Sequence, residues 1–262
     1  MKFEEALYNF SGNRRMYTVE EISELRGKNK LEEFSRIGNH LFCPECEKPQ
    51  LKHNSCSDKC DYFSTYRDQT HDSDCSYGCK KASKKVMEII TYEANLDKLS
   101  NRLQACLKLL LKGPSSCSNP LIVKFKKSKS KETRVSSTSP TDKYYIPRKR
   151  LTNHMSDKDA GELKLYYGNV NLIWEKNNHG DYFLRIYHID KKFLICSLQI
   201  TSVAYSHIAN EYKKNRNYAV AFITELNSRV KTYDNSGVIT EKIFFNGKIN
   251  DSRKMAFYPL HS

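Results

Sequence analysis

No apolar run in this sequence reaches the roughly 18 residues that a membrane-spanning helix needs. The longest, residues 107–111, is broken by Lys108. The opening MKFEEALYNF lacks the uninterrupted apolar stretch of a secretory signal. A cytoplasmic chain with no membrane partner is therefore expected. Nucleotide-binding loops (Walker or G-x-G-x-x-G), the G-x-S-x-G elbow and the H-E-x-x-H zinc-protease motif are all missing. His154, His179, His188, His207 and His261 stand singly, which reads as surface or satisfied histidines rather than catalysts. Acidic residues are in deficit, 30 Asp and Glu against 44 Lys and Arg, leaving a formal charge of +14. Hydrophobic residues make up 39% and charged residues 28% of the 262. That balance fits one or two ordinary domains and excludes a wholly disordered chain.

Cysteine is plentiful by contrast. Six of the nine fall between Cys43 and Cys79, and an odd total without an export signal argues against a disulfide framework. Cys43-Pro-Glu-Cys46 has the knuckle spacing that brings two thiolates to one side of a tight turn, with backbone N–H groups free to donate to them. His71-x-x-x-Cys75 supplies the other half of a Cys3His site for one structural zinc ion. Four such ligands close a tetrahedral shell and leave no position for catalytic water. Cys56, Cys60 and Cys79 read as free thiols in a loop; the alternatives are that, with His53, they supply a second site or replace members of the first.

Charge and periodicity divide the chain into three expected parts: a zinc-ribbon domain with flanking helices (1–113), a basic Ser/Lys-rich linker (114–150) and a β-rich domain (151–262). Residues 1–40 read as helical, with a capping box at Thr18 and Glu21 and apolar residues at helical spacing behind it. Residues 84–112 carry Ile89, Tyr92, Leu96, Leu99, Leu103, Cys106 and Leu110 at steps of three and four. This predicts one long helix, lying on its own core or pairing with a second copy in a homo-oligomer. Residues 121–150 hold ten basic and two acidic residues, so +8 of the +14 sits there. Beyond them, alternating runs at 163–174, 182–189 and 193–201 precede a helical pattern at 203–214 and further runs at 218–226 and 242–245. The expected fold is α+β overall, with a small OB-like or similar C-terminal sheet carrying one helix.

On such a sheet Tyr166, Trp174, Tyr182, Arg185 and Tyr187 are candidates for stacking single-stranded bases. Alternation places Phe183, Arg185 and Tyr187 together, on the face expected to meet solvent. Lys124, Lys126, Lys127, Lys129, Arg148, Lys149 and Arg150 are the tether cations expected to meet phosphates.

The run LFCPECEKPQL, then YFST at 62–65, then H-x3-C resembles the N-terminal zinc-binding module of bacterial competence protein CoiA-like proteins. Cys43 and Cys46 match its knuckle and Tyr62-Phe63 its aromatic pair. Thr65 stands where that family tends to place a histidine, and the nearest is His71. The resemblance covers about residues 40–80. It implies a nucleic-acid-associated ribbon in front of a nuclease-like domain. The expected nuclease signature, D/E-x-K on a strand, is replaced by Ser197-Leu198-Gln199. The sequence thus points to a zinc-containing bacterial protein that binds DNA or RNA non-enzymatically. An assembly module with a structural zinc and a divergent, inactive nuclease relative are the alternatives.

Overall fold

The computed structural model describes residues 3–28, 30–56, 61–73, 75–92, 95–112, 122–126, 141–152, 154–178, 180–190, 193–209, 212, 216–235 and 238–260. The chain divides into two compact units, residues 1–80 with 116–145 and residues 81–115 with 146–262.

The first unit opens on strands, and the helical N-terminus expected from sequence is wrong. β1 (Glu5–Phe10) and β2 (Asn13–Thr18) pair antiparallel, closed by Phe10 opposite Asn13. The two turn residues Ser11 and Gly12 have φ of 50° and 81°. Positive φ at both positions matches the strand twist, and Gly12 takes it without a Cβ clash. The capping box forms as the sequence predicts: Glu21 N donates to Thr18 Oγ1, and Thr18 N donates to Glu21 Oε2. It starts α1 (Val19–Gly27), which α2 (Leu31–Gly38) follows. β3 (Leu41–Phe42) pairs with β1, and β4 (Leu51–Asn54) forms a hairpin with β5 (Tyr62–Thr65). Phe3, Ala6, Ile22, Ile37, Leu41, Leu51 and Phe63 make the core, and Cys43 and Cys75 are buried in it.

The basic linker is also corrected. β7 (Ile122–Lys126) and β8 (Thr141–Tyr145) are paired strands, and β8 lies between β7 and β6 (Lys80–Lys81). Charge density did not preclude order there, because cross-strand pairing needs backbone groups and a few β-branched residues such as Ile122 and Val123.

In the second unit the expected long helix is two. α3 (Lys84–Thr91) ends at Tyr92, whose backbone is extended, and α4 (Leu96–Lys112) starts afresh. The break resets the apolar phase. α3 buries Met87 and Ile90 and leaves Ile89 and Tyr92 exposed, reversing the heptad reading. Leu96, Leu99, Leu103, Cys106 and Leu107 are buried, and α4 packs on its own unit's sheet.

That sheet is larger than the small domain expected, and strand is the main secondary structure of the described residues. It contains β9 (Arg148–Arg150), β10 (Leu163–Lys176), β11 (Tyr182–His188), β12 (Leu194–Ile200), β13 (Asn217–Glu225), β14 (Asn227–Asn235), β15 (Val238–Ile249) and β16 (Met255–Pro259). α5 (Ser202–Ile208), capped by Thr201, joins β12 to β13. The hydrogen-bonded path runs β14-β15-β12-β11-β10-β13-β16, with β12 and β15 parallel. β13 and β14 are one run of chain interrupted at Leu226, whose carbonyl accepts from Gly161 N. The first half pairs with β10 and the second with β15, so the path returns on itself. Thr224 Oγ1, in the first half, ties it to the second half's partner by donating to Lys248 O of β15 at 2.9 Å. Five strand positions thus enclose Tyr166, Val170, Leu172, Leu184, Ile186, Leu198, Val220, Phe222 and Phe245. Closure removes the exposed edges that an open sheet would carry at those strands.

Candidate metal centre and nucleic-acid interface

Cys43 follows β3, and the turn after it returns Glu47 N to Cys43 O at 3.0 Å, which places Cys46 beside it. His71 and Cys75 come from the segment after β5, just before a 3-10 turn at Ser76–Gly78. The donor atoms of Cys43, Cys46, His71 and Cys75 all lie within 4.8 Å of one another, close enough to hold one metal ion.

The separations have a particular form. Cys43 Sγ and Cys75 Sγ are 3.7 Å apart; His71 Nδ1 is 3.5 Å from Cys46 Sγ and 3.3 Å from Cys75 Sγ. A tetrahedron with metal–sulfur bonds of about 2.3 Å and metal–nitrogen bonds of about 2.0 Å has S···S edges of about 3.8 Å and S···N edges of about 3.5 Å. The observed edges match, and Nδ1 is the imidazole nitrogen turned to the cluster.

Backbone N–H groups surround the sulfurs as the knuckle spacing requires. Cys46 N–H is directed at Cys43, and Lys48 and Asp72 N–H at Cys46. Against them, the neighbouring thiols and burial drive the protons on. Bonding to Cys43, then burial, pushes the Cys46 thiol up to about 12. At Cys43 the Cys46 bond pulls down, but Cys75 and burial prevail and raise it likewise to about 12. A cation bound between Cys43 and Cys46 would offset this and favour their thiolate forms. Lys48 Nζ joins the two half-sites through Asp72 at 2.6 Å. Phe3 lies against His71 with ring centroids 5.6 Å apart, and against Tyr77 at 4.4 Å.

The remaining cluster residues lie elsewhere. His53 Nε2 is 3.0 Å from Ser23 Oγ and 3.4 Å from Asp61 Oδ2, and Asp61 accepts from the backbone N–H of Cys56. Cys79, at the end of the 3-10 turn, donates from its Sγ to Cys75 O at 3.7 Å, and Cys60 is outside the described residues.

The expected phosphate contacts scatter. Lys124 and Lys126 are in β7, while Lys127 and Lys129 are outside the described residues. Arg148, Lys149 and Arg150 form β9, and Lys149 is 8% exposed with Nζ 3.1 Å from Asp159. Its charge is committed inside its own unit. Three expected stacking rings also turn inward. Tyr166 is fully buried, its hydroxyl donating to Asp159 O, and Trp174 and Tyr182 pack on Tyr205.

Arg185 keeps the outward face that alternation assigns it. Leu184 and Ile186 enter the core, so Phe183, Arg185 and Tyr187 point away from it. Registers extend this face over β12, β15 and β14, through Gln199 opposite Lys248 and Phe244 opposite Arg229. Lys231 and Lys242 are opposite each other on it. Three of the rings have a cation near: Arg185 5.5 Å from Phe183, Lys231 5.4 Å from Phe244 and Lys242 5.7 Å from Tyr233. Arg185 also donates to Glu175 at 2.8 Å and to Ser197 Oγ at 2.8 Å. Ser197, at the position where a nuclease strand would carry its acid, here lies under an arginine. Sequence reasoning missed Arg229, Lys231, Tyr233, Lys242, Phe244 and Lys248, although their alternation with apolar residues was visible.

Among the described residues no helix is long and apolar enough to cross a membrane. No protein-family model, curated protein or solved structure matches the chain.

Proposed function

We propose that this is a zinc-stabilised protein that binds single-stranded nucleic acid without cleaving it. The observation that carries the reading is the outward face of β11, β12, β15 and β14. Five cations, Arg185, Arg229, Lys231, Lys242 and Lys248, are interleaved there with Phe183, Tyr187, Tyr233 and Phe244. Cations at this density track a phosphate backbone, and aromatic faces between them stack bases regardless of sequence. Phosphate contacts supply most of the affinity and stacking favours a single strand over a duplex, whose bases are already stacked.

Zinc fits the Cys3His group best. Soft thiolates with one imidazole in tetrahedral array suit Zn²⁺, while the oxygen-seeking Mg²⁺ and Ca²⁺ would find no carboxylate in the four-donor set. Cys43, Cys46, Cys75 and His71 Nδ1 would hold it, and a closed shell gives the ion a structural task.

Titration of a fluorescein-labelled oligonucleotide tests the reading. The double substitution Phe183→Ala with Phe244→Ala should weaken binding by about 5- to 150-fold for each stacked base lost. Equal affinity of the variant and the native protein, or no binding by either at low salt, would overturn it.

A further inference from the structure

We propose that Glu45, inside the Cys43-Pro-Glu-Cys46 knuckle, is a positioning residue that locks the His71–Cys75 half of the metal centre onto the knuckle. The inference rests on the metal reading and deepens it. Glu45 reaches across 31 residues of sequence to one place. Its Oε2 accepts from the backbone N–H of Ser76 at 2.8 Å, and its Oε1 accepts from the Ser76 hydroxyl at 2.6 Å. Ser76 is completely buried and directly follows the ligand Cys75. It also begins the 3-10 turn, where a backbone N–H has no partner within the turn itself.

The amide and the hydroxyl of Ser76 thus end on one carboxylate, and that carboxylate belongs to the turn carrying the other two cysteines. A buried amide and hydroxyl cannot give up such an acceptor without finding another. The chain at Ser76 is therefore held where Cys75 Sγ completes the tetrahedron.

The position has an opposing electrostatic effect. Glu45 Oε2 lies 3.7 Å from Cys75 Sγ, a contact that a thiol can make as donor. Once Cys75 is a thiolate the two negative charges repel, so charge alone would make Glu45 weaken metal binding. Positioning and charge thus predict opposite signs for the same substitution. Glu45 is partly open to solvent, which screens the repulsion, whereas its bonds to Ser76 are made to a residue with no access to water. Positioning should win.

The test uses the full chain loaded with zinc, then with cobalt(II) as a spectroscopic substitute. Glu45→Ala should release zinc to a chromophoric chelator with affinity weakened about 10- to 100-fold, the usual effect of removing a group that orients a ligand. Glu45→Gln, which keeps one accepting oxygen, should fall between. Ser76→Ala removes only the hydroxyl bond and should show a smaller loss in the same direction, a measurement that remains should Glu45→Ala fail to fold. In the cobalt form, thiolate-to-metal charge-transfer intensity should drop from that of three thiolates toward two. Unchanged or tighter metal binding by Glu45→Gln and Ser76→Ala would overturn the positioning role while leaving the metal centre standing. A native chain that takes up no metal at all would overturn both.

Discussion

Lys231 and Lys242 give the sharpest test of the nucleic-acid face. They are opposite each other on β14 and β15, both exposed, and sit over Phe244 and Tyr233. Five cations line this face, and Glu175 engages Arg185, which leaves four free to displace counterions from a strand. For single strands log K falls with log salt at about 0.7 per phosphate neutralised, so the face should contribute a slope of about −2.8. Raising salt tenfold would then weaken binding about 600-fold. Lys231→Gln with Lys242→Gln removes two of the four and should flatten the slope by about 1.4. The assay is fluorescence anisotropy of a labelled oligothymidylate of about 15 nucleotides, within the span such proteins cover, from about 50 to about 500 mM potassium chloride. Cations elsewhere in the chain, including Lys124, Lys126, Lys127 and Lys129, add the same amount to both slopes and cancel in the difference. A double variant with an unaltered slope and a native circular dichroism spectrum would refute the assignment of phosphate contacts to this face.

Elemental analysis of purified protein should give about one zinc per chain, with Cys43→Ser or Cys46→Ser losing the metal and lowering the thermal midpoint. A metal-free chain with the native midpoint would count against a structural ion. Gly247→Ala should destabilise by about 1–3 kcal/mol in urea unfolding, because a Cβ there would lie 2.8 Å from Leu226 Cδ2 and 3.0 Å from Leu198 Cδ2 at the closure of the strand path. Wild-type stability in that variant would mean the closure is looser than its packing implies. Burial holds the His53 imidazole below its ordinary 6.5, against the pull of Asp61 and alongside the repulsion of Arg26. The folded chain then binds this proton more weakly than the unfolded one, so the contribution is full above about pH 6.5 and is lost as pH falls below it. Urea midpoints should decline from about pH 7.5 to about 5.5, and His53→Gln should decline less over that range; parallel curves would remove His53 as a source.

The four candidate metal ligands were legible because ligand spacing is a local property. A knuckle and an H-x3-C pair each bring their donors together within a few residues, and only the meeting of the two halves needed the fold. The capping box at Thr18 and Glu21 was legible for the same reason, as were the strands near 163–176, 182–188 and 194–200 and the outward side of Arg185. The Ser11-Gly12 turn between two alternating runs was equally local, and it marks the N-terminal hairpin that a helical reading passed over.

Sequence alone therefore determined which thiols could share an ion, where a helix could start and which residues of a strand share a side. Each depends on covalent spacing and on the fixed periods of helix and strand. Tertiary structure decided where the charge can act. Lys149 and Arg185 look alike as basic residues in strands, yet one is buried against Asp159 and the other turns outward beside Phe183. It also decided that β14 and β15, far from β11 in sequence, extend the face of Arg185. Burial and strand pairing are set by contacts between distant segments, and no local pattern encodes which distant segment will arrive.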